Sequence, residues 1–344
     1  MSCRRSTTLH AYRRFESRRF LVIGLLLVLL AMAALLAMVS GAASLPPKEA
    51  LAALFGGSEQ AQLIVWQLRL PRVCMAILVG VGLASGGAAC QAVLKNPLAS
   101  PFTLGVASGA AFGAVLVIML VDQSAVGLTA AAAFAGTLLC ALLILAIGRL
   151  RGTSPEILIL AGVALMFFFS AVTSLLQYTG SMEQLAAVVF WLFGSLSKVG
   201  WREVGMTALL VLPAAGWLLA RSWDFNLLLG GDDGARALGV NVERLRFRAI
   251  LAAALMCAGS ICFTGVIGFV GLVAPHLGRM LLGSDHRFLF PASALLGALL
   301  VLVADTLGRT LWAPLVIPLG IMTSFIGVPF FMYLLLRRKG HRQC

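Results

Sequence analysis

The chain carries few residues whose types and spacing could support catalysis. No GxxxxGK(S/T) phosphate-binding loop occurs, and no Gly-Lys dipeptide is present from which to build one. No Ser, His and Asp arrangement typical of a hydrolase is visible. The sequence therefore predicts no enzyme, no metal site and no cofactor bound by this chain. The four histidines are far apart and lack the companions of a metal site: His10, His276, His286 and His341.

Two arginines at a membrane edge are more informative. The stretch QLRLPR, residues 67–72, stands directly before an apolar run that begins VCMAILVGVGLASGG. Arg69 and Arg72 therefore lie at the edge of a predicted span. Arginines there commonly anchor a helix among lipid headgroups, so the side of the membrane on which they lie decides whether they need another explanation.

The composition places most of the chain in a lipid bilayer. Of its 344 residues, 60% are hydrophobic and 11% are charged, and the mean hydropathy is +1.00. A soluble domain could not bury this much apolar surface. The formal charge is +13, but the basic residues are scattered between apolar runs, as in membrane-protein loops and unlike a nucleic-acid surface. The seven cysteines form no CxxC pair and are expected to act as packing residues.

Ten apolar windows are long enough to cross a bilayer. We predict an all-α polytopic membrane protein with a basic tail at 1–19, one ten-span domain at 20–336 and a second basic tail at 337–344. The first window follows six arginines, as in a signal peptide, but its uninterrupted length favours a retained span. The stretch 249–283 divides least clearly, because three glycines interrupt it. The windows are 20–41, 73–94, 102–121, 125–148, 157–178, 204–220, 249–265, 267–283, 289–307 and 315–336.

The distribution of charge predicts the orientation. An even number of spans puts both termini on one side, and the positive-inside rule selects the cytoplasm. With that orientation, 20 of the 26 Lys and Arg residues are cytoplasmic. No Asp, Glu, Lys or Arg lies near the centre of a span, which argues against an ion-coupled secondary transporter. The six external residues, which run against the trend, are Lys48, Arg69, Arg72, Lys198, Arg202 and Arg309.

Three predicted cytoplasmic loops have distinctive patterns. The longest, 222–248, is punctuated by glycines into two short helical pieces, with Asp232 and Asp233 suited to the first turn of a helix. This pattern favours a docking surface for a cytoplasmic partner over a solvated amphipathic loop. In KNPLASP, 95–101, two prolines stop the flanking helices. In RLRGTSPEI, 149–157, Thr153 or Ser154 is a candidate N-cap before Pro155.

A weak internal similarity links two spans. Arg72 precedes AIL at 76–78, and Arg248 precedes AIL at 249–251. These spans run in opposite directions in the predicted topology. We therefore predict an inverted repeat that relates spans 2–5 to spans 7–10.

Six ordered blocks, which cover nearly all of the chain after residue 60, resemble the FecCD family of permease subunits. That family belongs to bacterial ABC importers for iron–siderophores, haem and vitamin B12. The resemblance implies a ten-span fold like that of the vitamin B12 importer permease, in the bacterial cytoplasmic membrane. It also implies three kinds of partner besides lipid: a second permease, identical or different, two cytoplasmic ATPase subunits that use ATP and Mg, and an external binding protein. The blocks are 69–113, LAGVAL at 160–165, FWLFGSL at 190–196, LGGDDGARALGVNVERLR at 229–246, GFVGLVAPHLGR at 268–279, and 305–331.

The resemblance assigns roles to individual residues. Arg69, Arg72 and Arg309 match arginines that dock glutamates of the binding protein, so charge reversal of Arg69 and Arg72 should weaken docking. Gly234 stands where a bulkier apolar residue is common in the loop that contacts the ATPase, which would loosen that helix. The ATPase-coupling residues are Gly231, Asp232, Asp233, Ala235, Leu238 and Gly239. The cytoplasmic gate residues are Asn96, Leu98, Ser154 and Pro155. The pathway residues are Met166, Phe169, Gln177 and Tyr178, although composition alone favours lipid-facing or core positions for the Phe and Met residues.

The resulting interpretation is an ABC importer permease that moves an iron chelate by alternating access. A ferric siderophore is the first expectation, haem the next, and cobalamin the alternative within the family. Ion-coupled transport and a passive channel are the alternatives from other classes. A channel would conduct without its ATPase, which separates it from the favoured class.

Overall fold

The computed structural model describes residues 2–41, 45–121 and 125–337, and within these ranges the regular elements are helices. A π-helical stretch, Ile64–Arg69, leads directly into the fourth α-helix. In chain order the α-helices are α1 Ser2–Val39, α2 Pro47–Ala52, α3 Glu59–Leu63, α4 Leu70–Val93, α5 Val106–Leu120, α6 Val126–Arg151, α7 Pro155–Tyr178, α8 Met182–Phe193, α9 Trp201–Ala220, α10 Ser222–Leu228, α11 Asp232–Ala237, α12 Val242–Thr264, α13 Val270–Leu282, α14 His286–Thr310 and α15 Leu319–Arg337.

The ten predicted spans all coincide with apolar helices, so the predicted fold class is confirmed. In the described part of the chain, seven helices are long and apolar enough to cross a bilayer. The spans formed by α5, α13 and α15 are shorter. One further apolar helix, α8, was not predicted. It begins at a capping box made by Ser181 and Gln184, and it ends at Gly194, whose φ is +68°.

The ambiguous stretch 249–283 forms two helices. Helix α12 ends at Thr264, and α13 begins at Val270. Between them Gly265 has a φ of +74°, and Phe269 has a φ of +64°. Phe269 pays a steric penalty for this left-handed conformation, since residues with a β-carbon rarely adopt it. The amide of Ser195 donates to the carbonyl of Thr264 at 2.7 Å, which ties the break to the segment after α8.

Helix packing supports the predicted internal repeat. Helix α4 packs against α14, and its counterpart α12 packs against α6. Likewise α5 packs against α6, as α13 does against α14. The short helices α5 and α13 both follow a residue in the left-handed region, Gly105 and Phe269 respectively. Spans 2–5 therefore share their packing scheme with spans 7–10.

Glycines let the central helices touch backbone to backbone. A β-carbon added at Gly80 of α4 would overlap the carbonyl oxygen of Gly297 in α14. One added at Gly87 would overlap the carbonyl oxygen of Gly271 in α13. Such contacts are how helices pack in lipid, where burial of apolar surface supplies no driving force. Helix α4 is therefore in direct backbone contact with both α13 and α14.

Helix α1 starts well before the first predicted span. The predicted basic tail at 1–19 is helical from Ser2 and continuous with the span. Arg19 holds it to the start of α14, through a 3.1 Å ion pair with Asp285. The predicted C-terminal tail lies largely outside the described residues, since the described chain ends with α15 at Arg337.

Candidate functional site

The three predicted docking arginines lie near one another at the end of the bundle that the charge distribution predicts to be external, and two of them contact one carboxylate. Arg72, in the first turn of α4, donates to both oxygens of Asp305 on α14, with its shortest contact 2.8 Å from Nη2 to Oδ1. Arg309, one turn further along α14, has its Nε 3.1 Å from Oδ2 of Asp305. The side chain of Asp305 is 3% exposed. Two of the three guanidinium groups thus share one buried counter-charge.

Arg69 and Arg309 also cap the end of α1. Arg69 Nη1 donates to the carbonyls of Met38 at 2.6 Å and Val39 at 3.0 Å. Arg309 donates to the carbonyls of Ala37 and Ser40, at 3.3 and 3.0 Å. The last carbonyls of a helix lack intrahelical partners and carry partial negative charge, so cations stabilise them. The cluster therefore fastens α1 to α4 and α14.

Burial distinguishes the three arginines. Arg69 is 4% exposed and Arg309 is 6% exposed, whereas the side chain of Arg72 is 16% exposed. The sequence analysis did not identify Asp305 as their partner. Its spacing of four residues from Arg309 on one helix was the available signal.

At the opposite end of the bundle, the predicted coupling loop forms α10 and α11, as its two-piece pattern predicted. Gly231 and Gly239 flank α11 with φ of +101° and +88°, a conformation that favours glycine. Asp232 and Asp233 occupy the first turn, and Ala235 is fully buried. A partner could reach the exposed apolar side chains of this segment: Trp223 at 60%, Leu229 at 59% and Leu238 at 67% exposure.

Asp232 is held by two cations from other elements. Lys95 Nζ lies 2.7 Å from Oδ1, and Arg246 Nη2 donates to Oδ1 and Oδ2 at 2.9 and 2.8 Å. Burial raises the pKa of Asp232, but the hydrogen bonds from Lys95 and Arg246 outweigh it, so the pKa lies below its ordinary value. The carboxylate is therefore ionised at neutral pH. The sequence analysis did not identify Lys95 or Arg246 as its partners.

The four predicted gate residues lie on two loops at this end. Asn96 Oδ1 accepts from the amide of Leu98 at 2.9 Å, and Leu98 is 48% exposed. Ser154 is the N-cap of α7, accepting from the amide of Ile157 at 3.5 Å, and Pro155 is its first residue. Each loop therefore contains a turn that is fixed by a local side-chain hydrogen bond.

The four predicted pathway residues do not share one environment. Tyr178 is 88% exposed, and Met166 and Gln177 are partly exposed. Phe169 is 2% exposed and packs against Phe112 with ring centroids 5.4 Å apart. Its side chain belongs to the core between α5 and α7, because the helix rotation turns it away from the open face of α7.

An apolar cavity lies beside the unpredicted helix α8. It has a volume of about 590 Å³ and lies between the end of α8, the break before α13 and the first half of α15. Ser324 is its polar side chain, and the other lining side chains include Leu192, Phe193, Val266, Ile321 and Phe325. A concave, mostly apolar lining of this kind is typical of small-molecule sites.

Comparisons with known proteins show which proteins this chain resembles. The FecCD transport family model matches residues 27–337. The chain is 39% identical to the hemin transport system permease protein HmuU of Yersinia pestis, over 94% of this chain and 97% of that one. It is 36% identical to the vitamin B12 import system permease protein BtuC of Vibrio cholerae, over 97% of this chain and 98% of that one. It is 38% identical to the Fe(3+)-citrate import system permease protein YfmE of Bacillus subtilis, over 94% and 96%.

A solved structure extends the match to three dimensions. It is described as an inward-facing conformation of an ABC transporter of the metal-chelate type. The two chains superpose with a TM-score of 0.83 at 33% identity, over 92% of this chain and 99% of the other. The chain is a member of the FecCD transport family.

Proposed function

We propose that the chain is the permease subunit of an ATP-driven importer that moves a metal chelate across the bacterial cytoplasmic membrane. A ferric siderophore is the foremost cargo, haem the next, and a corrinoid the alternative. The full-length similarity to permeases named for Fe(3+)-citrate, hemin and vitamin B12 supports this cargo class. Transport proceeds by alternating access, with both chain termini in the cytoplasm.

One observation carries the proposal: the segment of α10 and α11 exposes apolar side chains at the end where positive charge predicts the cytoplasm. Exposed Trp223, Leu229 and Leu238 suit a protein contact better than water. Two ATPase subunits are the proposed partners, because the chain itself contains no phosphate-binding loop. A second permease, identical or different, completes the membrane part, and Met166, Gln177 and Tyr178 face the route between the two permeases.

Uptake into vesicles tests this function. We expect proteoliposomes that hold the permease, its ATPase subunits and the external binding protein to accumulate one probe in the presence of ATP. The probes are a ferric hydroxamate siderophore, ferric citrate, haemin and cyanocobalamin. Accumulation without the ATPase subunits would identify a passive channel. Accumulation that requires an ion gradient and no ATP would identify a secondary transporter.

Docking of the binding protein tests the arginine cluster. We propose that Arg72, with Arg69 and Arg309 behind it, receives a carboxylate of that protein. Arg72→Gln should weaken binding to the permease complex in nanodiscs by about tenfold or more, because one charge of the contact is lost. The exposed Lys198, also predicted to be external, is the matched control, and Lys198→Gln should change the affinity by less than about twofold.

Two further measurements distinguish a loss of docking from a loss of folding. The binding affinity of the wild type should fall as salt concentration rises, since the contact is ionic. Arg72→Gln complexes must elute as the wild type does in size-exclusion chromatography. Equal affinity of Arg72→Gln and the wild type would leave the cluster with only its role in fastening α1.

A further inference from the structure

The guanidinium group of Arg246 joins three segments that are distant in sequence. Its Nε donates to the carbonyl of Val93 at the end of α4, at 3.0 Å. Its Nη1 donates to the carbonyl of Thr153 before α7, at 3.2 Å. Its Nη2 donates to both oxygens of Asp232 on α11. Arg246 is 2% exposed, so these contacts are shielded from competing water.

Lys95 adds a second link to the same carboxylate. It follows the end of α4 and opens the loop 95–101, and its φ is +48°. Glycine or asparagine is usual where a helix ends in this conformation. A lysine there accepts the conformational cost, and its side chain forms a 2.7 Å ion pair with Asp232. Asp232 therefore connects α11 to both loops that contain the predicted gate residues. It contacts Lys95 of the first loop directly, and it is linked to Thr153 of the second loop through Arg246.

From these contacts we propose that Asp232, acting through Arg246 and Lys95, transmits the movement of α11 to both gate loops. Asp232 is a positioning residue: it touches neither ATP nor cargo. Gly231 and Gly239, both with positive φ, set α11 off as a separate short helix, and the buried Arg246 connects both loops to it. The inference rests on the proposed function, in which α11 contacts an ATPase subunit.

An exposed acidic residue at the start of α12 provides a matched control. Glu243 pairs with Arg236 of α11 at 2.7 Å, and the two side chains are 49% and 46% exposed. Glu243 is therefore also an acid in an ion pair that involves α11, but its partner lies on α11 itself and the pair is open to water. A difference between the variants of Asp232 and Glu243 reports the buried contacts of Asp232 with Lys95 and Arg246.

The test measures cargo transported per ATP hydrolysed, in proteoliposomes that contain the complete importer and the probe that the wild type accumulates. Asp232→Asn keeps the shape of the side chain and removes its charge. We expect the transport-to-hydrolysis ratio to fall by about tenfold. Glu243→Gln should stay within about twofold of the wild-type ratio, because water and salt screen an exposed ion pair. A role in folding alone would lower both activities together and leave their ratio unchanged.

Two more variants test the two links to Asp232 separately. Arg246→Lys retains the charge but cannot reach three partners, so it should uncouple as Asp232→Asn does. Lys95→Gln removes only one contact, at a side chain that is 39% exposed, and should lower the ratio about threefold without unfolding the protein. An unchanged ratio in Lys95→Gln and Asp232→Asn would overturn the inference while leaving the importer function intact. Loss of ATPase assembly in Asp232→Asn would also overturn it, because Asp232 would then act in docking. Absence of ATP-dependent uptake by the wild type would instead overturn the proposed function.

Discussion

Gly87→Ala is expected to lower the free energy of unfolding by about 2–3 kcal/mol, although alanine is the better helix former. The added β-carbon would overlap the carbonyl oxygen of Gly271, which is backbone and cannot rotate away. That carbonyl also accepts a hydrogen bond from Gln91, one turn further along α4. Relief of the overlap requires α4 and α13 to separate, with loss of this bond and of the surrounding dispersion contacts. Chemical unfolding of the protein in detergent micelles measures the change.

A second helical glycine serves as a control that separates the effect of packing on stability from the effect of helix propensity. A β-carbon at Gly216 of α9 would meet nothing within 4 Å. Gly216→Ala should therefore keep only the gain in helix propensity and stabilise the protein by up to about 1 kcal/mol. If Gly87→Ala and Gly216→Ala shifted the unfolding transition in the same direction, the close approach of α4 and α13 would not limit stability.

Asp305→Asn is expected to destabilise the protein by about 3–5 kcal/mol, because it leaves a buried group of guanidiniums without its counter-charge. Asp305 faces Arg72 and Arg309 at 2.8 and 3.1 Å, and its side chain is 3% exposed. An amide offers one oxygen where the carboxylate offered two, so the paired contact with Arg72 is lost as well. Helix α1 should loosen first, since Arg69 and Arg309 hold its last carbonyls. Thermal unfolding and limited proteolysis near residue 40 measure the two effects.

An exposed ion pair serves as the control for charge alone. Asp224 and Arg221 lie 3.3 Å apart, with side chains 31% and 50% exposed. Asp224→Asn should cost no more than about 1 kcal/mol, because water and salt screen that pair. A similar loss in both variants would mean that burial adds nothing to the Asp305 cluster.

The helices could largely be predicted from the sequence, because each depends on a local run of apolar residues. The break in 249–283 could be predicted in the same way, since glycines mark it. Helix α8 could not, because a 12-residue helix is too short to cross a bilayer and falls below the window that defines a span. Its capping box at Ser181 and the glycine after Phe193 were local signals that a search for full-length spans passes over.

For the functional residues, the sequence likewise indicated which residues matter but not which residues they contact. Sequence pattern and family resemblance selected Arg69, Arg72 and Arg309, and the charge distribution predicted that they share one side. Tertiary structure decided their surroundings: Asp305 lies 233 positions from Arg72, and Arg246 lies 153 positions from Val93. Similarly, family resemblance selected Phe169 as a pathway residue, whereas composition favoured a lipid-facing or core position. The rotation of α7 against α5 puts its side chain in the core.

The sequence by itself determined the helical spans, the charge asymmetry that predicts their orientation, the N-cap of α7 and the acidic first turn of α11, because each depends on neighbours within a few turns. Only the tertiary structure decided which charges meet. Those meetings depend on how closely α4 approaches α13 and α14, and that approach depends on glycine contacts between segments far apart in the chain.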